Sequence, residues 1–158
     1  KQRRRIAVCS EMYLRAMARG WPQRKFPAVF DVLSEAGVAP VTPSGKPVFA
    51  NPQEIASWLD AHPASIDAVF CENDIVASML FGALSARRIH VPDDVLIIGC
   101  DANHILPGMW SLKVDTMFLA TQAVGLLLRL LNGETVQTPP SYRPLLVDDC
   151  GVEITNVF

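Results

Sequence analysis

The sequence predicts an α/β fold, a three-layer arrangement in which a parallel sheet has helices on both faces. Strand-like apolar runs alternate with helix-like segments along the chain, as in parallel sheets joined by crossover helices. Three of these runs end in a cysteine followed by polar residues: IAVCSEM at 6–12, AVFCEND at 68–74 and VLIIGCDAN at 95–103. Runs of this length suit strands that are buried on both faces, so we expect the three to share one sheet.

The first hundred residues predict three strands and three helices. The predicted strands are 5–9, 67–71 and 94–99, and the predicted helices lie within 22–36, 50–62 and 73–88. Gly37 has the C′ position that ends the first helix. Asn51 is an N-cap followed by Pro52, and Glu54 can return a capping-box bond. No clear pattern covers residues 10–21.

The last third of the chain predicts one long apolar helix between short strands. A strand at 111–115 precedes a helix at 116–131, with Thr116 as its cap and Asn132-Gly133 as its end. This helix is apolar nearly all round, which requires cover on more than one side. Residues 138–144 (TPPSYRP) are a connector, and residues 145–157 can supply one or two closing strands.

Composition restricts the class of protein. Half of the 158 residues are hydrophobic and 19% are charged, which is typical of a folded domain. No signal peptide or stretch of ~20 apolar residues is present, and the four cysteines lack metal-ligand spacing. We therefore expect a reduced, cytoplasmic protein with no membrane contact, no metal and no cofactor.

The basic residues are concentrated near the start of the chain. Eight of the 14 lysines and arginines lie in the first 25 residues, where Glu11 is the only acidic residue. This pattern fits either a nucleic-acid-binding arm or a solvated edge strand and loop. We favour the edge, because no aromatic residues are interleaved with the arginines.

Polar side chains follow two of the predicted strands. Asn73 and Asp74 come after one strand, and Asp101 comes after another. Ligands of open parallel sheets bind beyond the carboxyl ends of the strands, where a carboxylate can accept hydrogen bonds from adjacent hydroxyls or ring N–H groups. The same side chains could instead cap the following helix and turn, and both roles remain open.

The segment DAVFCENDIVASMLFGALSARRIHVPDDVLIIGCDAN, at 67–103, resembles the lactose-repressor/galactose-repressor family of bacterial transcription regulators. The shared pieces are a strand ending in Asn-Asp, a helix with small packing residues, the VP-D-V turn, and a strand ending in Gly-hydrophobic-Asp. The resemblance extends to RRRIAV and to LATQAVGLLLRLLNGE. It implies one lobe of a type I periplasmic-binding-protein-like fold, which has two lobes around an effector cleft.

The resemblance also implies a domain organisation. Residues 1–106 would form the C-terminal lobe, 107–138 a crossover whose helix packs on the N-terminal lobe, and 139–158 the return strands. We therefore expect a fragment of a longer homodimeric protein whose separate helix-turn-helix domain binds DNA. The partner of the apolar helix would lie in the other lobe, or the helix would be swapped or buried in an oligomer.

The resemblance implies five candidate effector-binding residues. Asp101 matches the family's effector-binding aspartate, and Asn73 matches an asparagine that contacts sugar hydroxyls. Arg24 or Lys25 lies near a family arginine, and the choice stays open because the loop 10–24 is longer than usual. Phe49 lies near an aromatic residue that stacks on the effector.

The function predicted from these residues is an effector sensor that binds a small polar metabolite, such as a sugar, between lobes. The alternative is a solute-binding receptor of a transporter with the same fold. Catalysis is not supported: SGKP at 44–47 lacks the rest of a phosphate loop, and Cys100 and His104 lack a third group to orient them.

Overall fold

The computed structural model describes residues 3–22, 24–137 and 142–155. The strands are β1 (Ile6–Cys9), β2 (Ala68–Cys71), β3 (Leu96–Cys100), β4 (Trp110–Lys113) and β5 (Leu145–Val147). The helices are α1 (Glu11–Ala18), α2 (Lys25–Glu35), α3 (Pro52–Ala61), α4 (Asp74–Ser85) and α5 (Thr116–Leu131). The predicted connector and the boundary at 138–139 lie wholly or partly outside the described residues.

One sheet contains the five strands in the order β1-β2-β3-β4-β5. The first four are parallel, and β5 pairs antiparallel with β4. The prediction that the three cysteine-ended runs lie side by side is confirmed, since β1, β2 and β3 are neighbours. Strand β4, which belongs to the segment expected to leave for another lobe, is the fourth strand of this sheet.

Helices cover both faces of the sheet, as the sequence predicts. One face packs Val8 and Phe70 against Tyr13 of α1 and Phe26 of α2. The other face packs its strand residues against α3 and α4, whose fully buried side chains are Ile55, Ala77, Leu80 and Leu84. These two clusters make the core, and they hold the carboxyl ends of the strands in fixed positions.

Helix boundaries depend on local capping, and three details differ from prediction. Residues 10–21 contain a helix, α1, which begins because the Ser10 hydroxyl accepts a hydrogen bond from Tyr13 N. The cap of α5 is Asp115 rather than Thr116. Glu54 accepts from Ala50 N, one residue before the Asn51 cap that a capping box would use. Gly37 follows α2 at φ +65°, as predicted.

The basic start of the chain binds to the chain itself. The Arg5 guanidinium pairs with Asp67 at 3.1 Å, and this carboxylate also accepts from Arg5 N at 2.9 Å. Arg3 donates to the carbonyl oxygens of Asp67, Asp94 and Pro92. These contacts beside edge strand β1 give Arg3 and Arg5 a structural role.

Across the described ranges, the helices all lack the combination of length and hydropathy that crossing a bilayer requires.

Candidate functional site

The candidate site is the set of residues that directly follow the parallel strands β1, β2 and β3. We call Ser10, Glu72, Asn73 and Asp101 the rim. In the sheet register Cys9 pairs with Cys71, so Ser10 and Glu72 leave neighbouring strands at the same level. Cys100 ends β3, and Asp101 follows it. The sheet therefore brings together the polar residues that the sequence separates by up to 91 positions.

Glu72 joins the first two strand ends. Its carboxylate accepts hydrogen bonds from Ser10 Oγ at 2.6 Å and from Met12 N at 3.2 Å. Ser10 is fully buried and caps α1 with the same hydroxyl. This contact fixes the start of α1 against the end of β2. The sequence interpretation missed Glu72, because a charged residue after a strand gives no sign of which turn it binds.

Asp74, which directly follows the rim residue Asn73, is buried. It is 2% exposed, accepts from Ser111 Oγ at 2.6 Å, and accepts from Asn103 N and His104 N at 2.7 and 3.2 Å. Asn73, rather than Asp74, is the N-cap of α4. Asp74 instead ties α4 to β4 and to the loop after β3, so it is a positioning residue for that loop.

Gly99 gives Asp74 the space it needs. A Cβ atom built on Gly99 would lie 2.2 Å from Asp74 Oδ1 and 3.2 Å from Asp74 Cα. Side chains do not tolerate such contacts, so a glycine is required at this point of β3 by the close approach of α4.

Asp101 stands exposed on a loop with a constrained backbone. Its φ is +93° and that of Ala102 is +52°, a region that non-glycine residues seldom occupy. Asp101 N donates to Leu112 O at 2.8 Å, and Ala102 N donates to Ser111 Oγ at 3.1 Å. Within the described ranges, the Asp101 carboxylate has no hydrogen bond or ion pair. The backbone is thus held by its neighbours while the carboxylate stays open to a ligand.

Asn73 uses only part of its side chain for structure. Its Oδ1 accepts from Val76 N at 2.9 Å, which caps α4. Its Nδ2 donates to no residue that the structure describes, and the side chain is half-buried. Capping and ligand binding are therefore compatible at this position.

Of the two basic candidates, Lys25 contacts the rim. Its Nζ donates to Glu72 O at 2.5 Å and lies 5.8 and 6.0 Å from the ring centres of Phe26 and Phe70. The side chain of Arg24 is exposed and makes no hydrogen bond or ion pair with any described residue. The structure therefore brings Lys25, and not Arg24, against the rim.

The Cys100 thiol is buried at the end of β3. Burial raises its pKa, the Lys25 ammonium opposes that rise, and the carboxylate of the next residue, Asp101, adds to it. A thiol with a raised pKa is a poor nucleophile, so Cys100 serves as packing below the rim.

Phe49 lies in the core. It is 1% exposed, it stacks edge-on against Trp58 at 5.7 Å between ring centres, and its N–H donates to Val8 O. No face of its ring is open to a ligand in this structure. Its role here is packing beside β1, with which it forms an isolated bridge.

The cavities and the acidic cluster lie away from the rim. Three cavities of about 480, 540 and 430 Å³ are lined by residues of α3, of the α2–α3 region, and of the amino-terminal ends of β2 and β3. Ligand atoms of Asp148, Asp149 and Cys150 lie within 4.8 Å of one another. Asp148 Oδ1 accepts from two backbone N–H groups of its own turn, and Asp149 binds Gly108 N, so turn formation accounts for this cluster. None of the four rim residues lines any of these three cavities.

Comparisons with known proteins agree with this architecture. The family described as periplasmic binding protein-like domain matches residues 1–148. The HTH-type transcriptional regulator GalR of Escherichia coli is 29% identical over 136 residues, which are 82% of this chain and 35% of GalR. The chain thus spans about a third of that relative's length.

Two solved structures show the same fold. A LacI family regulator from Arthrobacter sp. FB24, in complex with lactose, has a TM-score of 0.72 and 24% identity, over 92% of this chain and 57% of that one. A LacI family regulator from Lactobacillus casei with bound sucrose has a TM-score of 0.68 and 21% identity, over 91% of this chain and 55% of that one. The chain therefore belongs to the periplasmic binding protein-like domain family.

Proposed function

We propose that this chain is one lobe of the effector-sensing domain of a bacterial transcription regulator, and that a sugar or a related polar metabolite binds at its rim. Family membership and the regulators among its relatives support the class of protein. The observation that carries the site is Asp101, an exposed carboxylate that has no hydrogen-bond or ion-pair partner among the described residues and lies on a loop held at positive φ.

The rim has the chemistry to bind a polyol. A carboxylate accepts two hydrogen bonds at once, so Asp101 suits two adjacent hydroxyl groups. The free Nδ2 of Asn73 and the Nζ of Lys25 are donors for ring or hydroxyl oxygens. Arg24, which is exposed and precedes Lys25 in the sequence, can add a further hydrogen-bond donor.

The backbone of Asp101 supports a binding role on energetic grounds. A non-glycine residue at positive φ costs about 1–3 kcal/mol and persists only where its surroundings enforce it. The four backbone N–H groups of residues 101–104 all donate hydrogen bonds, two of them to the buried Asp74. Such a carboxylate loses little conformational freedom when a ligand binds, which favours affinity.

The fold relatives favour a sugar as the ligand. Two regulators that share this fold were solved with lactose and with sucrose. A disaccharide has adjacent hydroxyls to match Asp101.

Signalling to DNA requires a second lobe besides the one described here. We propose that this second lobe covers both the rim and helix α5, and that a separate helix-turn-helix domain binds DNA as part of a homodimer. The effector would then act through its different affinities for the open and closed arrangements of the lobes.

Calorimetry on the full-length protein tests the site. The probes are lactose, sucrose, cellobiose, glucose, galactose and the nucleobases guanine and hypoxanthine. We expect a sugar to bind, and we expect Asp101→Ala to weaken its binding by about 100-fold, because charge-assisted hydrogen bonds are lost. Asp31→Ala, which removes an exposed carboxylate on α2, is the matched control and leaves affinity unchanged.

Two outcomes would contradict the proposal. Equal affinity of wild type and Asp101→Ala would remove Asp101 from the site. Binding of a nucleobase and of no sugar would overturn the ligand class while leaving the rim in place.

A further inference from the structure

The rim as described has donors and acceptors but no apolar surface. Small-molecule sites combine a few polar groups with a larger apolar wall, and a sugar has apolar C–H faces that need such a wall. The residue expected to provide it, Phe49, is buried in the core. Another side chain must therefore supply this contact.

Met12 is an exposed apolar residue whose backbone contacts the rim residue Glu72. Met12 is the second residue of α1 and is 56% exposed. Its backbone N–H donates to the Glu72 carboxylate at 3.2 Å. The carbonyl oxygen of the same Glu72 accepts from Lys25 Nζ at 2.5 Å. Met12 and Lys25 thus meet at one rim residue, on the face of the sheet that α1 and α2 cover.

The exposure of Met12 is not needed for folding. Helix α1 packs through Tyr13 and Ala16, and Leu14 adds to the same cluster. Leaving a large apolar side chain in water beside a row of polar groups gives the isolated lobe no stability. Methionine suits a ligand surface because its unbranched, polarisable side chain adapts to irregular shapes.

We propose that Met12 is the apolar specificity residue of the rim: it packs on a C–H face of the sugar whose hydroxyls bind Asp101. This inference rests on the proposed function. It predicts that affinity depends on the apolar area at position 12, and that changes there act on the ligand's apolar face without altering the hydroxyl contacts of Asp101.

Calorimetry with the same seven probes on the full-length protein tests this inference. For each sugar that binds the wild type, we expect Met12→Ala and Met12→Gln to lower affinity by about fivefold to tenfold, as loss of one apolar contact does. Met12→Leu, which keeps the apolar area, retains affinity within about twofold of wild type. Two polar or truncated variants are used so that a folding defect in one does not decide the result, and thermal unfolding checks each of them.

Two exposed apolar residues serve as controls. Met17 lies on the same helix and is 51% exposed, but it is five residues further along and therefore on a different side of α1. Ile75 is 63% exposed in the first turn of α4, which covers the opposite face of the sheet. We expect Met17→Ala and Ile75→Ala to leave sugar affinity unchanged.

The outcomes separate this inference from the proposed function. If Asp101→Ala abolishes sugar binding but Met12→Ala and Met12→Gln match wild type, the role of Met12 is wrong and the sugar site stands. A loss in Ile75→Ala instead would place the apolar contact on the other face of the sheet, again against Met12. If wild type binds no sugar, the proposed function fails, and the inference fails with it.

Discussion

Helices α4 and α5 are both rich in apolar residues, yet the sheet buries only one of them. In α4, Ala77, Leu80 and Leu84 are fully buried, and the sole charged residue of the helix, Asp74, is buried as well. In α5 none of the 16 residues is buried, and leucines such as Leu127 and Leu131 are 54% and 73% exposed.

The difference comes from the strands that each helix connects. Helix α4 joins the parallel neighbours β2 and β3, and such a crossover returns the chain across a face of the sheet. Helix α5 joins β4 to β5, which is antiparallel to it, so no crossover brings α5 onto the sheet. The apolar composition of a helix shows that its side chains need to be buried, and the strand topology decides whether the sheet buries them.

The largest expected effect compares one leucine from each helix. In residues 1–158, Leu80→Ala should lower the free energy of unfolding by about 2–5 kcal/mol, because it leaves a cavity in the core. Leu127→Ala should lower it by less than about 0.5 kcal/mol, as at an exposed site. Urea denaturation of both variants measures this.

The same pair of variants tests the proposed second lobe. In the full-length protein, a lobe that covers α5 would raise the cost of Leu127→Ala towards that of Leu80→Ala. An unchanged, small cost would mean that α5 stays uncovered there too.

A second prediction concerns the buried carboxylate of α4. Asp74→Ala leaves the Ser111 hydroxyl and the N–H groups of Asn103 and His104 without their acceptor. We expect a loss of about 2–3 kcal/mol of stability, because buried polar groups are then unsatisfied. Asp31→Ala, on the exposed side of α2, should change stability by less than about 0.5 kcal/mol in the same urea experiment. Equal small losses would show that water replaces the Asp74 contacts.

The sequence shows which residues follow a strand, but it does not show which loops contact each other. The apolar runs before Asn73, Asp74 and Asp101 predict that these residues lie at one edge of the sheet, because parallel strands end together. Which side chain caps a helix and which one ties two loops depends on backbone geometry. Asn73 and Asp74 looked equivalent in sequence, yet one is the cap and the other is buried against Gly99.

Two further features show the same limit. Residues 11–18 have charged side chains only at Glu11 and Arg15, and no clear pattern was recognised there, so α1 was not predicted, although Ser10 caps it. Phe49 was placed by resemblance near a stacking position, but burial depends on the packing of Trp58 and β1 around it. The sequence predicted that β1, β2 and β3 are neighbours, but it could not predict that Phe49 is buried.

A third, smaller effect compares the caps of the two helices. Asn73→Ala should lower the free energy of unfolding by about 1 kcal/mol, since α4 is part of the cooperative core. Asp115→Ala removes the equivalent bond to Phe118 N but should leave the urea midpoint of residues 1–158 unchanged, because α5 unfolds without the core. Far-UV circular dichroism should still show reduced helicity for Asp115→Ala. A shift of the midpoint by both variants would mean that α5 is coupled to the core.

The smallest expected effect is a loss of stability at acid pH that depends on Glu54, in the first turn of α3. Burial raises the pKa of Glu54, but hydrogen bonds from Ala50 N and Lys46 outweigh it, so the pKa is below its ordinary value of 4.5. Stabilisation by this carboxylate is therefore present above pH 4.5 and is lost as the pH falls through the lower, folded-state pKa. We expect Glu54→Gln to have a lower Tm than wild type at pH 7, and the difference to shrink as the pH falls below the ordinary value of 4.5. Glu134→Gln, which breaks the exposed pair with Arg129 after α5, should match wild type at both pH values. A difference for Glu54→Gln that does not change with pH would show that lost packing, and not the charge, is what this residue contributes to α3.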